Sequence, residues 1–247
     1  MTLSPVRQTL SYYLFSKRAW SRPARNDCSK FNSGCQLIEG IFGMYIPDSI
    51  TKQSDYQECV KFHGHTCMGL TIGYLAATLA LEHLQVERAT DEELVAIVEN
   101  DACCCDAVQV LTGCTFGKGN FFFKDHGKMA FTFGNRATGR SIRLVLKPEV
   151  LSAPDEELSL RDLLRSGQAS ADEIKRYEEI SESRIRDLFS AGPDNFFEVQ
   201  ELTGPLPPAA AIAQSLACDS CGEMVMKTKL EDLNGRSVCK GCTIADE

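Results

Sequence analysis

Apolar residues recur at helical spacing through 67–84 (CMGLTIGYLAATLALEHL), and the alanines and glycines among them predict a helix able to pack closely on a neighbour. Residues 92–101 (EELVAIVEND) read as a buried strand ending in polar positions, and 104–111 as a short helix closed by Gly113. Three β-rich runs follow at 121–123, 129–133 and 142–146. Turn residues at 125–127 and 135–139 separate them, the pattern of an antiparallel meander. Two further helices are predicted at 158–165 and 171–191, the second with Ser170 as N-cap and Glu173 three residues on, a capping-box pattern. A last strand is predicted at 196–201. This order predicts an α+β domain, with helices packed on an antiparallel β-meander, rather than a doubly wound sheet.

The pattern changes near each end. Residues 1–43 hold six basic and two acidic residues, net +4, against −12 for the remainder. They read as a flexible extension, or as sequence upstream of a functional beginning at Met44; an organelle transit peptide is the competing reading. The globular core is expected over 44–204. Pro205, Pro207 and Pro208 mark a boundary, 205–216 a linker, and 217–247 a small cysteine-rich domain. Some 30 residues cannot bury enough apolar surface to fold without a staple.

Composition narrows the setting. The 247 residues carry 26 basic and 34 acidic side chains, net −8, so nucleic acid is not an expected partner. The longest apolar runs, 94–98 and 209–213, fall far short of the roughly 18 residues that span a bilayer, so no membrane association is expected. Seven of the twelve cysteines stand as near neighbours, the run 103–105 and two C-x-x-C pairs, which suits metal ligation or thiol chemistry better than an extracellular disulfide ladder and points to the cytoplasm.

Two groups carry the candidate chemistry. Cys218, Cys221, Cys239 and Cys242 form two C-x-x-C knuckles separated by 17 residues, the spacing of a structural zinc site. Between them a hairpin is expected from 223–230 and 236–238 about Asn234-Gly235. With four sulfur donors no coordination position stays open, so this zinc is expected to be structural. The second group is His63, His65 and Cys67 in FHGHTC. Read as an extended segment, it places all three on one face. Imidazole and thiolate suit a transition metal better than magnesium or calcium. Cys67 and Cys103 both fall at predicted helix starts, where a thiolate is stabilised. The group reads either as a partly open metal site or as a reactive dithiol. The turn Gly117-Lys118-Gly119-Asn120 lacks phosphate-loop spacing and reads as a tight turn into the sheet; Lys118 contacting an anion near Cys114 is the alternative.

The segments FHGHTCMGLTIGY (62–74), ENDACCCDAVQVLTGCTFGKGNF (99–121) and DHGKMAFTF (125–133) resemble the E-subunit family of formylmethanofuran dehydrogenase over about residues 56–197. The ribbon is similar to a tail that many members carry. The resemblance implies an α+β core, an intertwined homodimer, and a cleft containing His63, His65, Cys67, Cys103 and Cys114, with Asp106 and Gln109 also at family positions. Met68 stands where members commonly have proline, and Cys104 and Cys105 at positions usually without thiols. The namesake accompanies a molybdenum or tungsten enzyme that fixes carbon dioxide onto methanofuran.

The expected function is therefore a metal-binding accessory subunit, or metal-handling protein, of a molybdenum or tungsten oxidoreductase. It would carry structural zinc in the ribbon and a second transition metal in the core cleft. The alternatives are an independent metalloenzyme acting on a small one-carbon or sulfur compound, and a thiol redox sensor. No acid–base pair or nucleophile–base motif in the sequence names a reaction.

Overall fold

The computed structural model describes residues 54–243. The expectations for residues 1–43 and Met44 lie outside that range. The first described element is a helix that the apolar pattern did not announce, α1 (Ser54–His63). Only Tyr56 and Cys59 of it are buried, three residues apart, and His63 falls on the same stripe. The Tyr56 ring meets Tyr74 edge-on at 5.0 Å and Phe189 at 5.2 Å, and its hydroxyl hydrogen-bonds Thr71 Oγ1. These contacts dock α1 on the helix that follows.

That helix, α2 (Met68–Leu84), is buried on nearly every side and forms the spine of the core. The chain continues through β1 (Leu94–Val98), α3 (Cys104–Thr112) and β2 (Phe121–Phe123), then the hairpin β3 (Ala130–Asn135) and β4 (Ser141–Leu146). Three helices follow, the short α4 (Pro148–Leu151), α5 (Asp155–Ser166) and α6 (Ala171–Ala191), before β5 (Phe197–Leu202) closes the sheet. The capping box at Ser170 and Glu173 forms in both directions.

The fold class is the α+β class expected, with one difference of topology. The strand order is β2-β1-β3-β4-β5; β1, β3, β4 and β5 pair antiparallel in that order, whereas β2 lies on the edge parallel to β1. Phe121–Phe123 is thus not the first strand of the meander. Because α3 intervenes between β1 and β2, the chain returns in the direction it left, as a crossover connection does. Alternate residues Leu94, Ala96, Val98, Phe131, Phe133, Ile142, Leu144 and Phe197 point into one core with α2 and α3.

Close helix packing has a local cause. A Cβ on Gly73 would stand 2.2 Å from the backbone oxygen of Cys104, so α3 approaches α2 at a distance only glycine permits. One turn earlier the approach is looser: a Cβ on Gly69 would stand 3.1 Å from the side-chain Cβ of Cys103.

The proline-rich segment is docked rather than free. Leu206 lies over Gly134, both Arg136 Nη2 contacts go to the carbonyls of Pro207 and Pro208, and Ala210 donates its N–H to Glu92 Oε2. The tail then forms two ladders, β6 (Ser215–Ala217) with β7 (Met224–Met226) and β8 (Leu230–Leu233) with β9 (Arg236–Cys239), followed by α7 (Lys240–Thr243). The hairpin about Asn234-Gly235 is present, with φ of 55° and 80° at the turn. Residues 223–230 do not all belong to it: Met224–Met226 pairs backward with a strand starting at Ser215. Among the described residues no helix is long and apolar enough to cross a membrane.

Candidate metal centres

His63, His65 and Cys67 converge, although not as an extended segment. His63 ends α1 on its buried side. Gly64, at φ +96°, turns the chain there, a backbone conformation that favours glycine. His65 then stacks against His63 with ring centroids 4.5 Å apart, and Cys67 becomes the N-cap of α2. The ligand atoms of the three lie within 4.8 Å of one another, and Cys67 Sγ is 3.8 Å from His63 Nε2. A tetrahedral ion with ordinary nitrogen and thiolate bonds would need this last separation to be about 3.6 Å. The donor set and spacing therefore fit a transition metal with one position left open.

Asp106, in the first turn of α3, accepts a 2.7 Å hydrogen bond from His63 Nδ1. An ionised carboxylate can only accept, so Nδ1 carries the proton and Nε2 presents its lone pair towards Cys67. His65 is shifted towards the neutral, metal-binding form, chiefly by burial. For Cys67, the expected effect of the helix start is reversed. Burial pushes its thiol up to about 11, outweighing the Leu70 N–H that donates to Sγ, and Cys103 raises it further.

Cys103 lies outside the three-donor group, at the start of α3, where its side chain makes no cap hydrogen bond. Its neighbours turn elsewhere: Cys104 donates to Asn100 Oδ1 and Cys105 to the Asn100 carbonyl. Cys114 is fully buried in the core beside Thr112, and burial raises its thiol. Gln109 accepts from the Phe116 N–H and lines a cavity of about 360 Å³ with Phe62, Arg88, Val110 and Phe116. Lys118 directs its ammonium at the carbonyls of Ala89, Thr90 and Asp91, which makes it a brace for that loop. Met68 is the first residue of α2 and lines a second cavity of about 350 Å³ with Val150, Leu188 and Phe196.

Sequence reasoning missed a polar cluster at the end of β1. Glu99 is nearly buried and accepts from Arg143 at 2.7 Å and His126 at 3.1 Å; these partners hold its carboxyl down at about 2. It also missed Asn100, whose side chain ties Lys128, Ala102 and Cys104 together. The available signal was a polar pair ending an otherwise apolar strand.

At the tail, Cys218, Cys221, Cys239 and Cys242 form a second cluster. The Sγ atoms of Cys218 and Cys242, and of Cys221 and Cys239, are 4.0 Å apart, against about 3.8 Å for a tetrahedral zinc–thiolate site. The backbone N–H groups of Cys221, Cys239 and Ser220 around Cys218 lower its thiol to about 6. Although the Glu223 backbone favours its thiolate, Cys221 is pushed up to about 12, chiefly by the hydrogen bond it shares with Cys218. The cluster is compatible with a zinc ribbon.

Residues 62–198 match the family described as FmdE, molybdenum formylmethanofuran dehydrogenase operon, over more than half of the chain. The chain belongs to the FmdE family. It is 31% identical over 180 residues to a probable S-adenosyl-L-methionine-binding protein of Archaeoglobus fulgidus. The match covers 70% of this chain but only 49% of that relative, so the chain spans about half its length. The structure of a tungsten formylmethanofuran dehydrogenase FmdE-like protein from Syntrophus aciditrophicus is 27% identical, with a TM-score of 0.49, covering 76% of this chain and 91% of that chain. The FmdE match covers the His63–His65–Cys67 group, α2 and the strands β1 to β4, and ends before the four-cysteine tail.

Proposed function

We propose that this FmdE-family chain is a metal-binding accessory protein of a molybdenum or tungsten oxidoreductase. In this reading His63, His65 and Cys67 hold a transition metal and the four tail cysteines hold structural zinc. One observation carries it: three donors from α1, its following turn and the cap of α2 meet within 4.8 Å, with one imidazole already oriented by Asp106. The family's operon supports an oxidoreductase partner. The homodimer implied by the resemblance and a cytoplasmic location complete the proposal.

The metal in the cleft would supply a Lewis-acid or redox centre. The chain's own part is to fix the His63 tautomer, to keep Cys67 half-buried at a helix start, and to leave a coordination position for a ligand or for transfer. Metal counting on anaerobically purified protein tests this: about two metals per chain are expected, and Cys67→Ser with His63→Ala should retain only the ribbon zinc. Retention of both metals in that variant overturns the site. Co-purification with the oxidoreductase tests the accessory role.

A second reading, an independent metalloenzyme, is supported by the three-donor set, since catalytic sites keep a position open, and by the cavity along α1 and α3 lined by Phe62 and Gln109. Turnover of a small one-carbon or sulfur compound by the metal-loaded chain alone, without a partner, would favour it.

A further inference from the structure

Cys67 and Cys103 face one another across Gly69. A Cβ built on Gly69 would stand 3.1 Å from Cys103 Cβ, 3.8 Å from Cys103 Sγ and 3.9 Å from Cys67 Sγ, so both sulfurs border the space that the missing side chain leaves. Both are partly exposed, whereas Cys104 is fully buried and both Cys104 and Cys105 donate to Asn100. Of the three consecutive cysteines, one is therefore aimed at a proposed metal ligand.

We propose that Cys67 and Cys103 form a reversible disulfide whose closure withdraws Cys67 from the His63–His65–Cys67 set and releases its metal, an inference that rests on the metal reading above. The oxidant is a peroxide. One thiolate attacks the O–O bond, giving a sulfenic acid and, after protonation, water; the second thiol's sulfur then displaces the hydroxyl as a second water. The two sulfurs lose two electrons in total, and the peroxide gains them. Closure needs the Cβ atoms about 3.5–4.5 Å apart, and with no side chain on Gly69 nothing from that residue stands between the two sulfurs as they rotate towards each other. The product leaves two imidazoles and no thiolate. A dithiol reductant restores the site by exchange.

The full-length chain, first given one equivalent of zinc and then cobalt(II), is treated with stoichiometric hydrogen peroxide; disulfides are mapped by peptide mass spectrometry and bound cobalt is counted. The expected result is a Cys67–Cys103 linkage appearing together with loss of one cobalt. Cobalt release should be at least about tenfold slower in Cys103→Ser. Gly69→Ala, which alters neither thiol, should slow linkage by filling the gap. Linkage of Cys67 to another cysteine, or equally fast release from Cys103→Ser, overturns the switch. If cobalt binds and no disulfide forms, the switch alone has failed. If the metal-free protein forms the disulfide but cobalt never binds, the metal reading has failed and the switch falls with it.

Discussion

Asp106 on α3 holds His63 on α1 through a 2.7 Å contact between Oδ2 and Nδ1, and so determines, from 43 residues away, which imidazole nitrogen faces Cys67. The carboxylate is a positioning group: it would not touch the ion, yet it makes His63 a better donor. Asp106→Ala should weaken metal binding at the core site by about 10–100-fold while metal bound to the four-cysteine tail is unchanged. Competition against a chromophoric chelator measures this, and unchanged affinity would remove Asp106 from the site.

Glu99 sets an acid limit on the sheet. Its carboxyl falls from 4.5 to about 2 through Arg143, with His126 assisting, so the stabilisation is present above pH 4.5 and is lost as pH falls towards 2. Glu99→Gln should destabilise the protein at pH 7 by about 2 kcal/mol, because it leaves Arg143 without its charge partner. Urea midpoints should show the gap between variant and wild type narrowing from pH 4.5 downwards; a pH-independent gap would contradict the assignment.

Gly73 tests the helix contact that brings α3 to the site. In Gly73→Ala the new methyl meets backbone atoms of Cys104, which cannot rotate away, so the cost should be about 1–3 kcal/mol. Gly117→Ala opens into free space and should change stability by less than about 0.5 kcal/mol. Thermal melts of the two variants make the comparison.

The ribbon has little apolar interior beyond Val238 and the cluster itself. Metal removal by a strong chelator should therefore unfold the region from Ser215 onward and leave β1 to β5 intact. Hydrogen exchange reads both at once: amides of β6 to β9 should lose protection while those of β1 and β3 keep it. Retained protection in the tail would mean that its fold does not depend on metal.

The strongly periodic elements were legible. The α2 run, the β3–β4 hairpin and the Ser170 cap sit where local pattern placed them; in the hairpin and the cap the sequence neighbours are also the contact partners. The helix α1 was not legible: its buried stripe is two residues and a histidine, and its anchor, Phe189, lies far along the chain. His63, His65 and Cys67 do come together, but through a helix end, a glycine turn and a cap rather than strand alternation. The edge position of β2 could not be read from three phenylalanines, since register and partner are tertiary choices. The Glu99 cluster was hidden for the same reason, its members being separated by 27 and 44 residues.

The docked prolines set a leash. With Ala210 tied to Glu92 and its methyl carbon 3.0 Å from where a side chain on Gly119 would begin, the chain leaves the core only after that point. Ala211 to Gln214 then separate the last anchor from the first ribbon strand. Four extended residues reach about 14 Å, so the ribbon's range of travel is shorter than the core is wide. The ribbon is thereby held to the strand ends near Glu92 and Arg136, and a change at Arg136 would lengthen its reach without altering either metal cluster.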